Sequence, residues 1–351
     1  MLRLKLLFVS KDVGDTKMIL PIAKEALVAG HDVFVVAEGK GANLYSEFGI
    51  ETFFLGTPDF EEVAFTIDQA ALLRNLNPSA VIVGFPGPLN LSKKISLEAN
   101  AAGIPVVGVE DYWACVKRMP EVMLSLVLTI DDYAVEIAKS FLGQDIRISV
   151  VGNHTVPGPD YRPSGDILDG IKELHTRFEE IFVFGGGREN TTDELKLLVS
   201  SLQKISGNWC LIPRYHQNYL EKISAGGRKF RDVWDELLLP LGNRVIRFET
   251  GTSDDLAMVC DAYFSGCGSS MNTAIACGKP TVAVVTKTTM EVLRNSCLDI
   301  VPAVRLGGAQ ILTEVCDLRP MLTKPEKSVR EKFKPLNAKL ALKEIEKLFY
   351  S

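Results

Sequence analysis

Apolar runs the length of a β-strand alternate along this 351-residue chain with stretches of helical period, and after one break the alternation starts again. An apolar run without polar interruption suits a strand covered on both faces, as in a parallel sheet flanked by helices. The first series reads as strand 4–10, loop 11–16, helix 18–29 stopped by Gly30, strand 31–37, helix 39–48 stopped by Gly49, and strand 51–55. It continues with a polar helical stretch 59–76, strand 80–85, the turn Pro86-Gly87-Pro88, helix 91–102, strand 105–109, strand 125–130, helix 131–141 and strand 146–151. Residues 152–160 break the pattern with glycines, Pro157 and Pro159, and Pro163 follows, which is the composition of a linker. The second series runs through helix 166–178, strand 181–184, helix 193–205, strand 209–214, strand 245–248, helix 254–260, strand 262–265, a further helix, a strand after Gly278-Lys279-Pro280, and helix 288–297. This predicts an α/β protein of two doubly wound domains, 1–155 and 160–325, followed by an amphipathic tail, 326–351, with Leu340, Leu342, Ile345 and Leu348 at helical spacing.

Composition narrows the function classes. A hydrophobic content of 46% is ample for two cores, and a net charge of −5 without a dense Lys/Arg run argues against nucleic acid as partner. Seven scattered cysteines with no CxxC pair suggest neither a disulfide framework nor a zinc site and fit a reducing cytoplasm. Lys11 and Asp12 end the first apolar run too early for a signal peptide or a membrane span.

Ligands of doubly wound sheets gather at the carboxyl ends of strands, and two glycine-rich turns occupy such places. Ser265-Gly266-Cys267-Gly268-Ser269-Ser270 follows a strand and opens a helix, where backbone amides and hydroxyls suit an anion. An ordinary tight turn would read the same way, but Asp254-Asp255-Leu256 before it and Gly278-Lys279-Pro280 after it set it apart. Gly185-Gly186-Gly187-Arg188 is the second such turn. Asp15, Glu110 and Asp111 also follow strands. Asp15 reads either as a general base or as a helix cap, for which Thr16 is an equal candidate. His216 reads as a titrating group near a ligand or as a loop histidine, His154 as a hinge residue, and His31 and His175 as surface residues. Cys267 and Cys277 read as small packing residues.

The order DDLA, D, SGCGSS, A, GKP across 254–280 resembles the donor-binding half of GT-B-type glycosyltransferases and of the related UDP-N-acetylglucosamine 2-epimerases. That resemblance implies two Rossmann-like domains with a cleft between them, a nucleotide-sugar donor on the second with UDP the leading nucleotide, and a C-terminal helix returning to the first. It places Gly185, Gly186, Gly187, Arg188, His216, Phe248 and Glu249 near the base, and Gly266, Gly268, Ser269, Ser270 and Asn272 at phosphate and ribose. Arg188 and Arg214 would neutralise the diphosphate, so neither metal nor cofactor is implied. Asp15, Glu110 and Asp111 would face the acceptor across the cleft, with His216 at the reacting centre.

One departure stands in the donor half: Thr273 occupies the position where the superfamily commonly has a ribose-binding Glu. Val109-Glu110 and Pro120-Glu121 echo the epimerases. However, their Arg and Glu after the first-loop glycine are absent from Lys11-Asp12-Val13-Gly14-Asp15, and their Asp is absent from Gly84-Phe85-Pro86-Gly87. A transferase is therefore the leading expectation, an epimerase-like isomerase the second and a non-catalytic binding protein the third. The acceptor would be a sugar or a lipid-linked group in cell-surface glycan or polysaccharide synthesis, with peripheral membrane association following from a lipid-linked one. Monomer and homodimer both stay open.

Overall fold

The computed structural model describes residues 3–47, 49–50, 54–55, 68–87 and 91–350. Much of the polar stretch 59–76, three residues of the expected third strand and Pro88 lie outside them. The chain divides into two compact units, Met1–His154 with Pro335–Ser351, and Thr155–Lys334. Both are α/β layers around an all-parallel sheet. In the first unit the strands are β1 (Lys5–Ser10), β2 (Asp32–Ala37), β3 (Phe54–Leu55), β4 (Ala80–Gly84), β5 (Val106–Val109), β6 (Leu126–Thr129) and β7 (Ile148–Val150). Their order is β3-β2-β1-β4-β5-β6-β7. In the second they are β8 (Glu180–Gly185), β9 (Trp209–Arg214), β10 (Ala262–Ser265), β11 (Thr281–Val284) and β12 (Gln310–Leu312), in the order β12-β11-β10-β8-β9.

The apolar runs become the central strands for the reason their composition suggests: Leu6, Leu7, Phe8 and Val9 of β1, and Ile181 to Phe184 of β8, are buried on both faces. Phe182 stacks on Trp209 at 5.7 Å and meets Phe264 edge-on at 5.7 Å, which sets the centre of the second core. In each sheet the direction of winding reverses once, between β1 and β4 in the first and between β8 and β10 in the second. At such a reversal the loops from two neighbouring strands diverge to opposite faces and leave an opening at the carboxyl edge. Among the described residues no helix is long and apolar enough to cross a membrane.

Four local expectations are corrected. The first helix spans Val13–Val28, so Asp15 and Thr16 lie in its first turn rather than in a loop, and Asp12 takes the N-cap position. Residues 245–248 form no strand: Val245 makes a single bridge to Leu211 at the free edge of β9, and the chain beyond is irregular. His31 is buried, accepting from the Leu4 N–H at 3.2 Å through Nδ1 and meeting Glu346 Oε1 at 3.1 Å through Nε2. The tail is helical over Lys327–Arg330 and Ala338–Glu346 only, and the chain re-enters the first unit at Pro335, where it bridges Asn153.

Candidate functional site

On the second unit the reversal point brings the two glycine-rich turns side by side, because Gly185 and Ser265 are register partners at the ends of β8 and β10. Ser265 Oγ donates to the Gly185 carbonyl at 2.7 Å and accepts from the Gly268 N–H at 3.0 Å, so one hydroxyl shapes both turns. Glycine is required by space here. A Cβ at Gly185 would sit 2.1 Å from the Tyr263 hydroxyl, one at Gly266 1.7 Å from Glu194 Oε1, and one at Gly268 2.8 Å from Ser265 Oγ. The following helix, Ser270–Ala276, is a bare two turns, so donors for an anion have to come chiefly from the turn backbone rather than from a helix dipole. Ser269 is half-buried at its start, while Ser270, Asn272 and Thr273 are buried. Thr273 Oγ1 donates to the Thr155 carbonyl at 2.5 Å and lies 3.1 Å from Asp254 Oδ1, which ties the linker to the helix Ser253–Val259.

The flanking loops place the remaining expected residues unevenly. Gly186 donates its N–H to the Arg214 carbonyl at 2.7 Å, Gly187 borders Asn190, and Arg188 is exposed with its N–H on Asn190 Oδ1 at 3.1 Å. The Arg214 guanidinium is engaged by the carbonyls of Phe248, at 2.6 Å, and Gly251, at 2.5 Å, so it holds the 248–251 loop. Phe248 lays its ring against Gly170, where a Cβ would meet it at 2.7 Å, whereas Glu249 is exposed. His216 is exposed and edge-on to Tyr219 at 5.8 Å. Burial pushes the Cys267 thiol up to about 12, which leaves it an inert packing group at neutral pH.

On the first unit the reversal point is acidic. Asp15 Oδ2 accepts from the Lys11 N–H at 3.1 Å, and Oδ1 is buried with no partner among the described residues. A Cβ on Gly84 would fall 2.4 Å from the Asp15 Cβ, so Asp15 lies across the end of β4. A Cβ on Gly14 would lie 2.2 Å from Asp111 Oδ2, which brings Asp111 to the same place. Burial, then the Asp111 charge, lifts the Asp15 pKa well above the usual carboxylate range. Burial likewise raises Asp111, against the opposing Arg118 charge. Glu110 accepts from Thr129 Oγ1 at 2.6 Å and from the Val116 N–H at 3.4 Å, and burial still carries it up to about 8. Glu121 is exposed and paired with Lys93.

Several buried acids among the described residues escaped the sequence reading. Asp131 caps the helix Asp132–Leu142, accepts from Trp113 Nε1 at 2.9 Å and is raised to about 6 by burial. Glu38 is buried after β2, its Oε2 without a partner among the described residues. Glu194 lies fully buried beneath Gly266. Its position among Leu195 and Leu198, on the inward face of the helix Thr191–Leu202, is the one signal that could have found it.

Known structures share this arrangement of two parallel sheets over nearly the whole chain. A glycosyltransferase from Rickettsia africae is 14% identical with a TM-score of 0.66, over 99% of this chain and 98% of that one. The UDP-GlcNAc 2-epimerase of Methanocaldococcus jannaschii is 14% identical with a TM-score of 0.62, over 99% and 100%. The chain has the GT-B fold. A third GT-B-fold structure, the Neisseria meningitidis UDP-GlcNAc 2-epimerase bound to UDP-GlcNAc, is 14% identical with a TM-score of 0.55, over 99% and 91%. No protein-family model and no curated protein sequence matches the chain. At such identities the likeness carries the GT-B architecture, and chemistry has to be argued from the side chains.

Proposed function

We propose that this GT-B chain is a metal-independent glycosyltransferase that holds a nucleotide-sugar, UDP-linked, on its second unit and uses Asp15 of the first as the base for an acceptor hydroxyl. The observation that carries the reading is Asp15 itself, with one oxygen anchored by the Lys11 N–H and the other buried, without a partner among the described residues, at the reversal point of the sheet. A hydroxyl arriving there satisfies the orphan oxygen, and a carboxyl lifted above its ordinary pKa is better matched to accept its proton. For the donor, Gly185, Gly266 and Gly268 allow the backbone to approach a diphosphate, and Arg188 is an exposed cation beside them, Arg214 being engaged by carbonyls. An acceptor that is a sugar or a lipid-linked group in glycan synthesis at the cytoplasmic face completes the reading.

Titration of the purified protein with UDP, GDP, CDP and their sugars by calorimetry identifies the donor, and turnover is followed by nucleotide release. Asp15→Asn is expected to lower kcat by about 10²-fold or more with donor affinity unchanged. Undiminished turnover in that variant would sink the assignment. An epimerase-like reading draws on Glu110 and Asp131, two buried acids at about 8 and about 6 that are differently protonated near neutral pH. Conversion of UDP-N-acetylglucosamine without acceptor, abolished by Glu110→Gln and spared by Asp15→Asn, would move the assignment there. Tight nucleotide binding with no turnover under either assay would make it a binding protein.

A further inference from the structure

Beneath the glycine-rich turn of the second unit lies a carboxyl group that neither reading above uses. Glu194 is 0% exposed. Its Oε1 accepts from Asn190 Nδ2 at 2.5 Å and from Thr289 Oγ1 at 2.9 Å, and its Oε2 is buried with no partner among the described residues. Each of those contacts leads to a different segment of the edge. Asn190 Oδ1 takes the Arg188 N–H in the loop after β8, and Thr289 lies 2.9 Å from the Thr286 hydroxyl that caps the helix Lys287–Asn295 after β11. The turn after β10 closes the arrangement from above, since a Cβ on Gly266 would sit 1.7 Å from Oε1 and 2.9 Å from Oε2. The charged or titratable groups around the carboxyl are Asp193 on its own helix, Cys267 on the turn and Arg188 on the loop. Asp193 is itself occupied, by Thr288 Oγ1 at 3.1 Å and Lys196 at 3.3 Å.

We propose that Glu194 is the positioning residue of the glycine-rich turn, and that a phosphate group bound at that turn is accompanied by a proton taken up on Glu194. The proposal rests on the reading of the turn as a nucleotide site and adds a linkage to it. An ionised carboxylate directly under the turn, itself cut off from water, sets a negative charge against a phosphate. The protonated group carries no charge, and its O–H falls on Oε2, the oxygen that lacks a partner. Burial, opposed by the Thr289 and Asn190 side chains and by the Gly266 N–H of the turn itself, places Glu194 at about 7 in the free protein, so it is largely ionised at pH 8. A neighbouring phosphate raises it further, and by reciprocity the affinity for phosphate falls as pH rises, by up to about tenfold per pH unit above that value.

Calorimetry of UDP binding at pH 8 in HEPES and in Tris, whose ionisation heats differ, counts the protons taken up. Wild type is expected to take up about half a proton or more beyond what Glu194→Gln takes up, because glutamine keeps the volume and cannot ionise. The variant should also bind UDP more tightly than wild type at pH 8, with a flatter pH profile. Thr289→Val, which removes a donor to the ionised form, should move the wild-type profile to higher pH, a shift that a purely structural role for Glu194 does not produce. Equal proton counts and equal profiles in wild type and Glu194→Gln overturn the proposal and leave the nucleotide reading standing. Binding of inorganic diphosphate, but not of UDP, GDP or CDP, with uptake lost in Glu194→Gln keeps the proposal and overturns the nucleotide reading. No binding of any of them overturns both.

Discussion

Glu110 shows how a single buried acid becomes a property of the whole protein. Its carboxyl has an ordinary pKa of 4.5 and stands at about 8 in the folded chain, chiefly through burial. Below about pH 4.5 both states hold the proton and nothing is lost. As pH rises to about 8 the unfolded chain releases it first, so native stability falls across that window and is level above it. Glu110→Gln removes this slope, and the variant should gain on wild type by a few kcal/mol, to order of magnitude, between pH 5 and pH 8 in urea denaturation. Parallel pH profiles for the two proteins would show that Glu110 ionises normally. Asp15, Asp111 and Asp131 contribute slopes of the same sign, which is why the difference between the two proteins, not the wild-type curve, is diagnostic.

The elements carry the fold through their buried faces, and the last helix is the clearest instance. Ala338–Glu346 starts at the Asn337 cap, whose Oδ1 accepts from the Leu340 N–H at 2.9 Å, and packs against Val13–Val28 through Ala341, Leu342 and Ile345. Arg147 to Glu344 at 3.1 Å, and His31 to Glu346, attach its polar side to the same unit. Ala341, Leu342 and Ile345 bury nearly all of their apolar surface, which is the larger share of the docking energy, and the Arg147 pair, more than a third exposed on the arginine side, adds little. Ile345→Ala is expected to cost about 2–4 kcal/mol of the first unit's stability, and Leu348→Ala, only half-buried, clearly less. Equal losses would mean that Ile345 is no better packed than Leu348 in the docked helix. Residues 245–248 illustrate the opposite outcome. An apolar run is a strand only where a neighbour offers a ladder, and beyond the Val245 bridge the Arg214 guanidinium takes the Phe248 carbonyl instead.

At the scale of the whole molecule the two units differ in how the chain enters them. The second is one continuous segment with its own core around Phe182, Trp209, Trp234 and Phe264, whereas the first is completed by a returning tail. Fragment 155–334 expressed alone is therefore expected to unfold cooperatively, and fragment 1–154 to be markedly less stable than 1–154 joined to 335–351. Calorimetric melting of the three fragments checks this, and equal stability of the last two would remove the tail from the first unit's core.

The alternation of strands and helices in both halves, the α/β class and the places of the two glycine turns were legible in the sequence alone, because continuous apolar runs and glycine stops report burial and backbone freedom locally, whereas the strand expected at 245–248 and the edge strand Gln310–Leu312 were decided by which neighbour offered a ladder. What only tertiary structure decided is which side chains share an environment. Asp15, after β1, and Asp111, after β5, meet across the end of β4, the strand between them in the sheet, because Gly14 and Gly84 leave them room. Glu194 matters because Gly266, some seventy positions later in the chain, has no side chain to displace it. His31, which reads as a surface residue, is covered by a helix more than three hundred positions away in sequence. Thr273 is turned into a buried contact with the linker by the same logic. Burial, and with it every shifted pKa on which the chemistry depends, is set by contacts between distant segments, and no local pattern of residues records which segments those will be.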